Sequence, residues 1–182
     1  MSKNILILTG SPRKGGNSDK LADAFISGAE QAGHTAVKYA TATKNIMGCK
    51  ACNRCFSKGT ACVFSDDFNE LAPLVEQADM IVFAMPLYWF TFPAQMKAAI
   101  DKFVSFLVGG KDLKIQECVL LACGGSHDPS IFEGLIASYK LIAGHLKWQD
   151  GGTILVPGVY GKDDITSTDA LARAEALGKN IR

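Results

Sequence analysis

The chain has 182 residues, 48% of them hydrophobic and 20% charged, with 19 basic side chains against 18 acidic ones for a formal charge of +1. That composition describes an ordinary globular protein, expected to form a single domain over residues 1–182 with a cysteine-rich loop at about 45–65, and it gives no electrostatic case for nucleic acid or an anionic membrane as partner. The longest apolar stretch, Met80 to Ala94, is too short to cross a bilayer and is broken by Pro86 and Pro93, and no signal peptide is visible, so a cytoplasmic protein is expected whose six cysteines stay reduced or bind something.

Ile5, Leu6, Ile7 and Leu8 form an unbroken apolar run, as in a parallel strand buried on both faces. It runs straight into a glycine-rich turn. Gly10, Gly15 and Gly16 allow a close backbone approach, while Ser11, Arg13, Asn17 and Ser18 supply hydrogen-bond donors and a fixed positive charge. A helix starting near Asn17 or Ser18 aims its free amides at the same point, so the turn reads as a phosphate site. Two familiar loops are excluded. Gly16 stands where a nucleoside-triphosphate loop needs lysine, and the G-x-G-x-x-G dinucleotide fingerprint is absent. A monophosphate remains.

Leu21, Ala22, Phe25, Ile26, Ala29 and Ala32 recur at helical spacing up to Gly33. His34 to Ala40 reads as a second strand with Val37 and Tyr39 inward, followed by the irregular cysteine segment. Asp66 or Asp67 is placed to cap a helix reaching about Ala78, with Pro73 implying a late start or a kink. Met80 to Met85 is a third strand, and Pro86 to Pro93 an aromatic loop. Met96, Ala99, Ile100, Phe103 and Leu107 predict one amphipathic helix ending at Gly109 and Gly110. Cys118 to Cys123 is a fourth strand with both cysteines in the core. A helix from Ile131 to Leu146, a strand from Thr153 to Val156 and a helix from about Ser167 to Leu177 follow. Strands alternating with helices indicate a parallel sheet covered on both faces.

In such sheets ligands bind beyond the carboxyl ends of the strands, where the strand order reverses. For the order 2-1-3-4-5 that crevice lies between the first and third strands. The loops from Gly10 to Ser18, Pro86 to Pro93 and Gly124 to Ser130 meet there, and their chemistry suits a ligand with a phosphate at one end and a flat aromatic body at the other. His127 in the last of these loops is either a donor to that body or simply exposed.

With Thr-Gly-Ser-Pro-Arg-x-x-x-Asn-Ser after the first strand, Pro-Leu-Tyr-Trp-Phe after the third and Gly-Gly-Ser after the fourth, the chain resembles the NAD(P)H-dependent FMN reductases of the flavodoxin-like superfamily. The resemblance implies an α/β three-layer sandwich with a five-stranded parallel sheet of order 2-1-3-4-5. It implies that Ser11, Arg13, Asn17 and Ser18 bind the FMN phosphate, that Pro86, Leu87, Tyr88, Trp89 and Phe90 border the ribityl chain and the isoalloxazine, and that Gly124 and Gly125 lie near its far edge. No catalytic side chain is implied, since the flavin carries the chemistry. NAD(P)H as hydride donor, a quinone, flavin, metal or protein as acceptor, and a homodimer or homotetramer whose neighbouring subunits complete the site are likewise implied.

Cys49, Cys52, Cys55 and Cys62 form C-x-x-C-x-x-C with a fourth cysteine six intervening residues later. The run resembles the ferredoxin ligation of a [4Fe–4S] cluster and the compact motif of the iron-sulfur flavoproteins, relatives of the FMN reductases. A structural zinc and free or redox-active thiols are the competing readings. Three functions follow: an FMN-dependent oxidoreductase, an electron-transfer flavoprotein without its own small substrate, and a non-redox protein binding a phosphorylated ligand.

Overall fold

The computed structural model describes residues 1–182. The three longest apolar runs become inner strands and are buried almost end to end: β1 (Asn4–Thr9), β3 (Met80–Pro86) and β4 (Glu117–Cys123). With β2 (Thr35–Ala40) and β5 (Gln149–Val156) they form an all-parallel sheet of order β2-β1-β3-β4-β5, the order expected from the sequence. One row of the register runs Tyr39, Leu8, Phe83, Leu120, Thr153 across all the strands.

Because side chains alternate along a strand, each run feeds two cores. Ile5, Ile7, Val82 and Leu121 face α1 (Asn17–Gln31) and α6 (Ala170–Lys179). Leu6, Leu8, Phe83 and Leu120 face the opposite layer, built from α2 (Phe68–Gln77), α3 (Ala94–Asp101), α4 (Val104–Val108) and α5 (Glu133–Leu146). Helices α1 and α6 touch backbone to backbone: a Cβ added at Gly28 would lie 1.9 Å from the Glu175 carbonyl oxygen, and one at Gly178 would lie 2.1 Å from that of Phe25.

Several expectations need correction. Val37 does not point into the core: it is 43% exposed on the edge strand, where only Tyr39 finds cover. The single helix predicted through Leu107 is two helices, α3 and α4, parted at Lys102 and Phe103, whose N–H groups bond the carbonyls of Ala99 and Ile100 and tighten the turn. Leu107 is consequently 56% exposed. Asp67 precedes α2 without capping it. Its carboxylate accepts from the Asn45 N–H instead, and the Phe68 N–H goes to Asp66. Pro73 sits inside α2, and α6 begins at Ala170, later than the apolar pattern suggests. No helix is long and apolar enough to cross a membrane.

Candidate functional site

The carboxyl ends of the strands are laced together by their loops. The Gly10 N–H donates to the Ala84 carbonyl at 2.9 Å, Leu87 to Cys123 at 2.7 Å, Gly124 to Val156 at 3.0 Å and Val159 back to Gly124 at 3.0 Å. A cavity of about 740 Å³ opens between them. Its walls hold Ser11, Arg13, Lys14, Gly16, Asn17 and Ser18 from the first loop, Pro86, Leu87 and Tyr88 from the second, and Cys123, Gly124, Gly125 and Ser126 from the third. Val159, Tyr160, Gly161 and Lys162 complete it. This last wall, the loop after β5, carries no motif and went unread in the sequence. Its chain proximity to the turn after β1 exists only in three dimensions.

Local geometry shapes the first loop for an anion. The Ser11 hydroxyl accepts from the Arg13 N–H at 3.1 Å, and the Gly16 N–H closes the turn on the Arg13 carbonyl at 3.1 Å. Asp19 takes the Gly15 N–H at 2.9 Å and is itself held by Lys38. The amides of Asn17 and Asp19, at the start of α1, find no acceptor within the chain, and that of Ser18 meets only the Cys123 sulfur. Free N–H groups at a helix start favour negative charge. Arg13, Lys14 and Lys162 line the cavity and no carboxylate does.

Ser18 is buried and bonds the Cys123 thiol, yet burial dominates and pushes that thiol up to about 12, so it stays neutral in the cavity wall. Asn17 behaves unexpectedly: its Nδ2 donates to the Gly161 carbonyl at 2.8 Å and its Oδ1 accepts from the Ile165 N–H at 3.3 Å, so the side chain ties two loops together. Trp89 and Phe90 do not line the cavity. Their φ values of 45° and 65° form a tight turn closed by Tyr88 and Thr91, which throws both rings outward, 91% and 55% exposed. Such a backbone is strained for aromatic residues. His127 is exposed, its ring packed over Gly158.

The cysteine segment forms a second site. Ala51, Asn53 and Phe56 take φ of 49°, 53° and 58°, which winds the chain back on itself. Cys49, Cys52, Cys55 and Cys62 all line one cavity of about 110 Å³, whose other walls include Phe64, Lys102, Val104, Ser105 and Val108. Asn69 in the first turn of α2 fixes Cys62 in both directions, accepting its N–H at 2.8 Å and donating to its carbonyl at 3.1 Å. Hydrogen bonding to Arg54 lowers the Cys52 thiol, whereas burial and the neighbouring sulfurs raise that of Cys55. No three His, Cys, Asp or Glu side chains are grouped to hold a metal ion, so the expected metal centre at these cysteines is not preformed. The thiols stand around a space and not about a point. Ser105 contributes a buried hydroxyl with no hydrogen-bond partner to this region.

A parallel sheet of this order, with a glycine-rich, arginine-bearing turn after the first strand and a cavity at the strand-order reversal, is the flavodoxin-like arrangement, a class that carries mononucleotides at this edge. The sequence settles membership within the class: residues 3–141 match the family model described as NADPH-dependent FMN reductase, and the chain belongs to that family of oxidoreductases. Among relatives, an "Iron-sulfur flavoprotein" of Archaeoglobus fulgidus is 39% identical over 99 residues, which is 54% of this chain and 44% of that protein. An "Iron-sulfur flavoprotein" of Methanosarcina thermophila is 33% identical over 121 residues, 66% of this chain and 63% of that one. The match thus spans about half the length of these relatives. In fold the chain is similar to an NAD(P)H:quinone oxidoreductase from Methanothermobacter marburgensis, with a TM-score of 0.79 at 22% identity over 99% of this chain and 97% of that one.

Proposed function

We propose that the protein is an FMN-dependent oxidoreductase that accepts hydride from NAD(P)H and passes the electrons to a quinone, a flavin, a metal or a protein acceptor. The observation that carries this reading is the charge of the larger cavity: Arg13, Lys14 and Lys162 line it together with the start of α1, where the Asn17 amide is unpaired, and there is no carboxylate among the lining residues. The residues fit the cofactor. Arg13, Ser11, Ser18 and the helix start would hold the phosphate, while Pro86, Leu87, Tyr88, Gly124 and Gly125 line the same cavity and would border the ring system. Bound FMN would supply hydride acceptance and electron release, which asks the protein for binding and orientation and for no acid or base. Trp89 and Phe90, exposed beside the mouth, suit cover by a second copy in a homodimer or homotetramer. Six free cysteines suit a reducing, cytoplasmic setting.

Titration of the apoprotein with FMN and riboflavin, followed by flavin fluorescence and NADPH or NADH oxidation, tests the reading. FMN should bind and turn over. Arg13→Ala should weaken FMN by about 10- to 100-fold, the worth of one charge-assisted hydrogen bond of about 1.5–3 kcal/mol, and leave riboflavin unchanged. A protein that ignores FMN but binds another phosphorylated ligand would be the non-redox alternative.

A second reading adds a [4Fe–4S] cluster and makes the protein an electron-transfer flavoprotein. It is favoured by thiolate-type donors lining a single cavity together with the unpartnered Ser105 hydroxyl, and by the likeness to proteins named iron-sulfur flavoproteins. Cys49, Cys52, Cys55 and Cys62 would be the ligands, and the cluster would supply one-electron transfer. Iron and sulfide uptake under anaerobic conditions, lost in Cys55→Ala, is the test.

A further inference from the structure

Asp66 joins three parts of the chain at the cysteine cavity. Its Oδ1 accepts from the Phe68 N–H at 3.1 Å, and its Oδ2 accepts from the Met47 N–H at 2.9 Å and from the Lys102 ammonium. Both partners of this ion pair are out of water: the Lys102 side chain is 4% exposed and that of Asp66 is 0%. A pair so placed gains little stability, because desolvation offsets the attraction. Lys102 closes α3 at the joint with α4. The same joint puts its ammonium nitrogen 3.6 Å from the Cys62 sulfur.

Ser105 follows three residues later, on α4, and lines the same cavity. Its hydroxyl is buried and makes no hydrogen bond, a rare and costly condition unless something else occupies the space. The same cavity is therefore lined by four cysteines and by two polar groups that carry hydrogen-bond donors, among the apolar side chains of Phe64, Val104 and Val108.

We propose that Lys102 and Ser105 are positioning residues for a cluster carried by the four cysteines, donating hydrogen bonds to its sulfurs, and that the Lys102 charge raises its reduction potential. The inference rests on the cluster reading above. Adding one electron to an iron–thiolate unit makes it more negative. A buried positive charge next to Cys62, little screened by water, stabilises the reduced form more than the oxidised one. Of the two members of the pair it is the ammonium that bonds the Cys62 sulfur, while the Asp66 carboxylate is taken up by Lys102, Met47 and Phe68.

The full chain is loaded anaerobically with ferrous iron and sulfide, iron per chain is counted, and the midpoint potential is read by an EPR-monitored titration. Lys102→Met should load and shift the potential in the negative direction by about 59 mV or more, a tenfold change in a one-electron equilibrium. Ser105→Ala should shift it the same way by less, and Lys102→Arg should hold the original value. Equal potentials in loaded wild type, Lys102→Met and Ser105→Ala overturn the proposal while leaving the cluster reading intact. A wild-type chain that takes up no iron overturns both. If Lys102→Met is too unstable to load, with Asp66 left alone, the paired Lys102→Met/Asp66→Asn chain and Ser105→Ala decide the matter.

Discussion

The Asn17 side chain, in the first turn of α1, holds the Gly161 carbonyl at 2.8 Å across 144 residues of sequence, and the Ile165 N–H completes a two-point clamp on the loop after β5. A parallel ion pair from Lys20 to Asp163 reinforces it. The amide expected from sequence to face a phosphate is therefore already engaged by protein. Asn17→Ala should weaken FMN binding indirectly, by about tenfold, because two hydrogen bonds of about 0.5–1.5 kcal/mol each no longer hold the fourth wall in place. Amide hydrogen exchange separates this from direct contact: protection of residues 158–166 should fall in the variant even without flavin.

Lys162 belongs to that wall, beyond the stretch matched by the family model, which ends at residue 141. As an exposed cation at the anion end of the cavity it should act through charge alone. Lys162→Met is expected to weaken FMN a few-fold at low salt and scarcely at high salt, with riboflavin unaffected at both. Fluorescence titrations across ionic strength would show it.

These contrasts mark what the sequence could and could not disclose. The inner strands were legible because Ile5 to Leu8 and Met80 to Met85 are short uniform apolar runs leading into glycine- or proline-bearing loops, the pattern of a doubly covered parallel strand, and their order followed from the resemblance. The break at Lys102 was not, because Met96, Ala99, Ile100, Phe103 and Leu107 keep helical spacing straight through it, and the partner that draws Lys102 inward lies 36 residues earlier. Trp89 and Phe90 misled for a different reason. Their composition suits a flavin, but positive φ at both positions turns them away from the cavity, and backbone conformation is not encoded in hydrophobicity. Val37 shows the limit at a sheet edge, where alternation continues although the position stays 43% exposed beside the end of α2.

Burial raises the Cys123 thiol from about 9 in the unfolded chain to about 12 in the fold, so between those values the folded state keeps a proton the unfolded state has lost. Stability from this group is complete below pH 9 and drains away as pH climbs toward 12. Cys123→Ala should flatten the alkaline limb of a urea-denaturation series over that range. Alkylation mapped by mass spectrometry at neutral pH gives an independent check: exposed Cys49 and Cys52 should react in the unloaded protein, and buried Cys118 and Cys123 should not.

The α1–α6 contact should prove the least forgiving part of the fold. At Gly28 and Gly178 a methyl group would meet carbonyl oxygens at 1.9 and 2.1 Å, and both obstacles are backbone, so no rotamer change can relieve them. The helices would have to separate, exposing Phe25 and Ala174, which are fully buried between sheet and helix now. In an open helical position glycine to alanine would stabilise by reducing the freedom of the unfolded chain. Here overpacking should win, and Gly28→Ala or Gly178→Ala should each cost about 3 kcal/mol in urea denaturation, at the upper end of typical overpacking penalties. Because α1 also presents Asn17 and Ser18 to the cavity, its displacement should weaken FMN binding as well. By contrast Gly144→Ala, where nothing stands within 4 Å of the added methyl, should be neutral or stabilising.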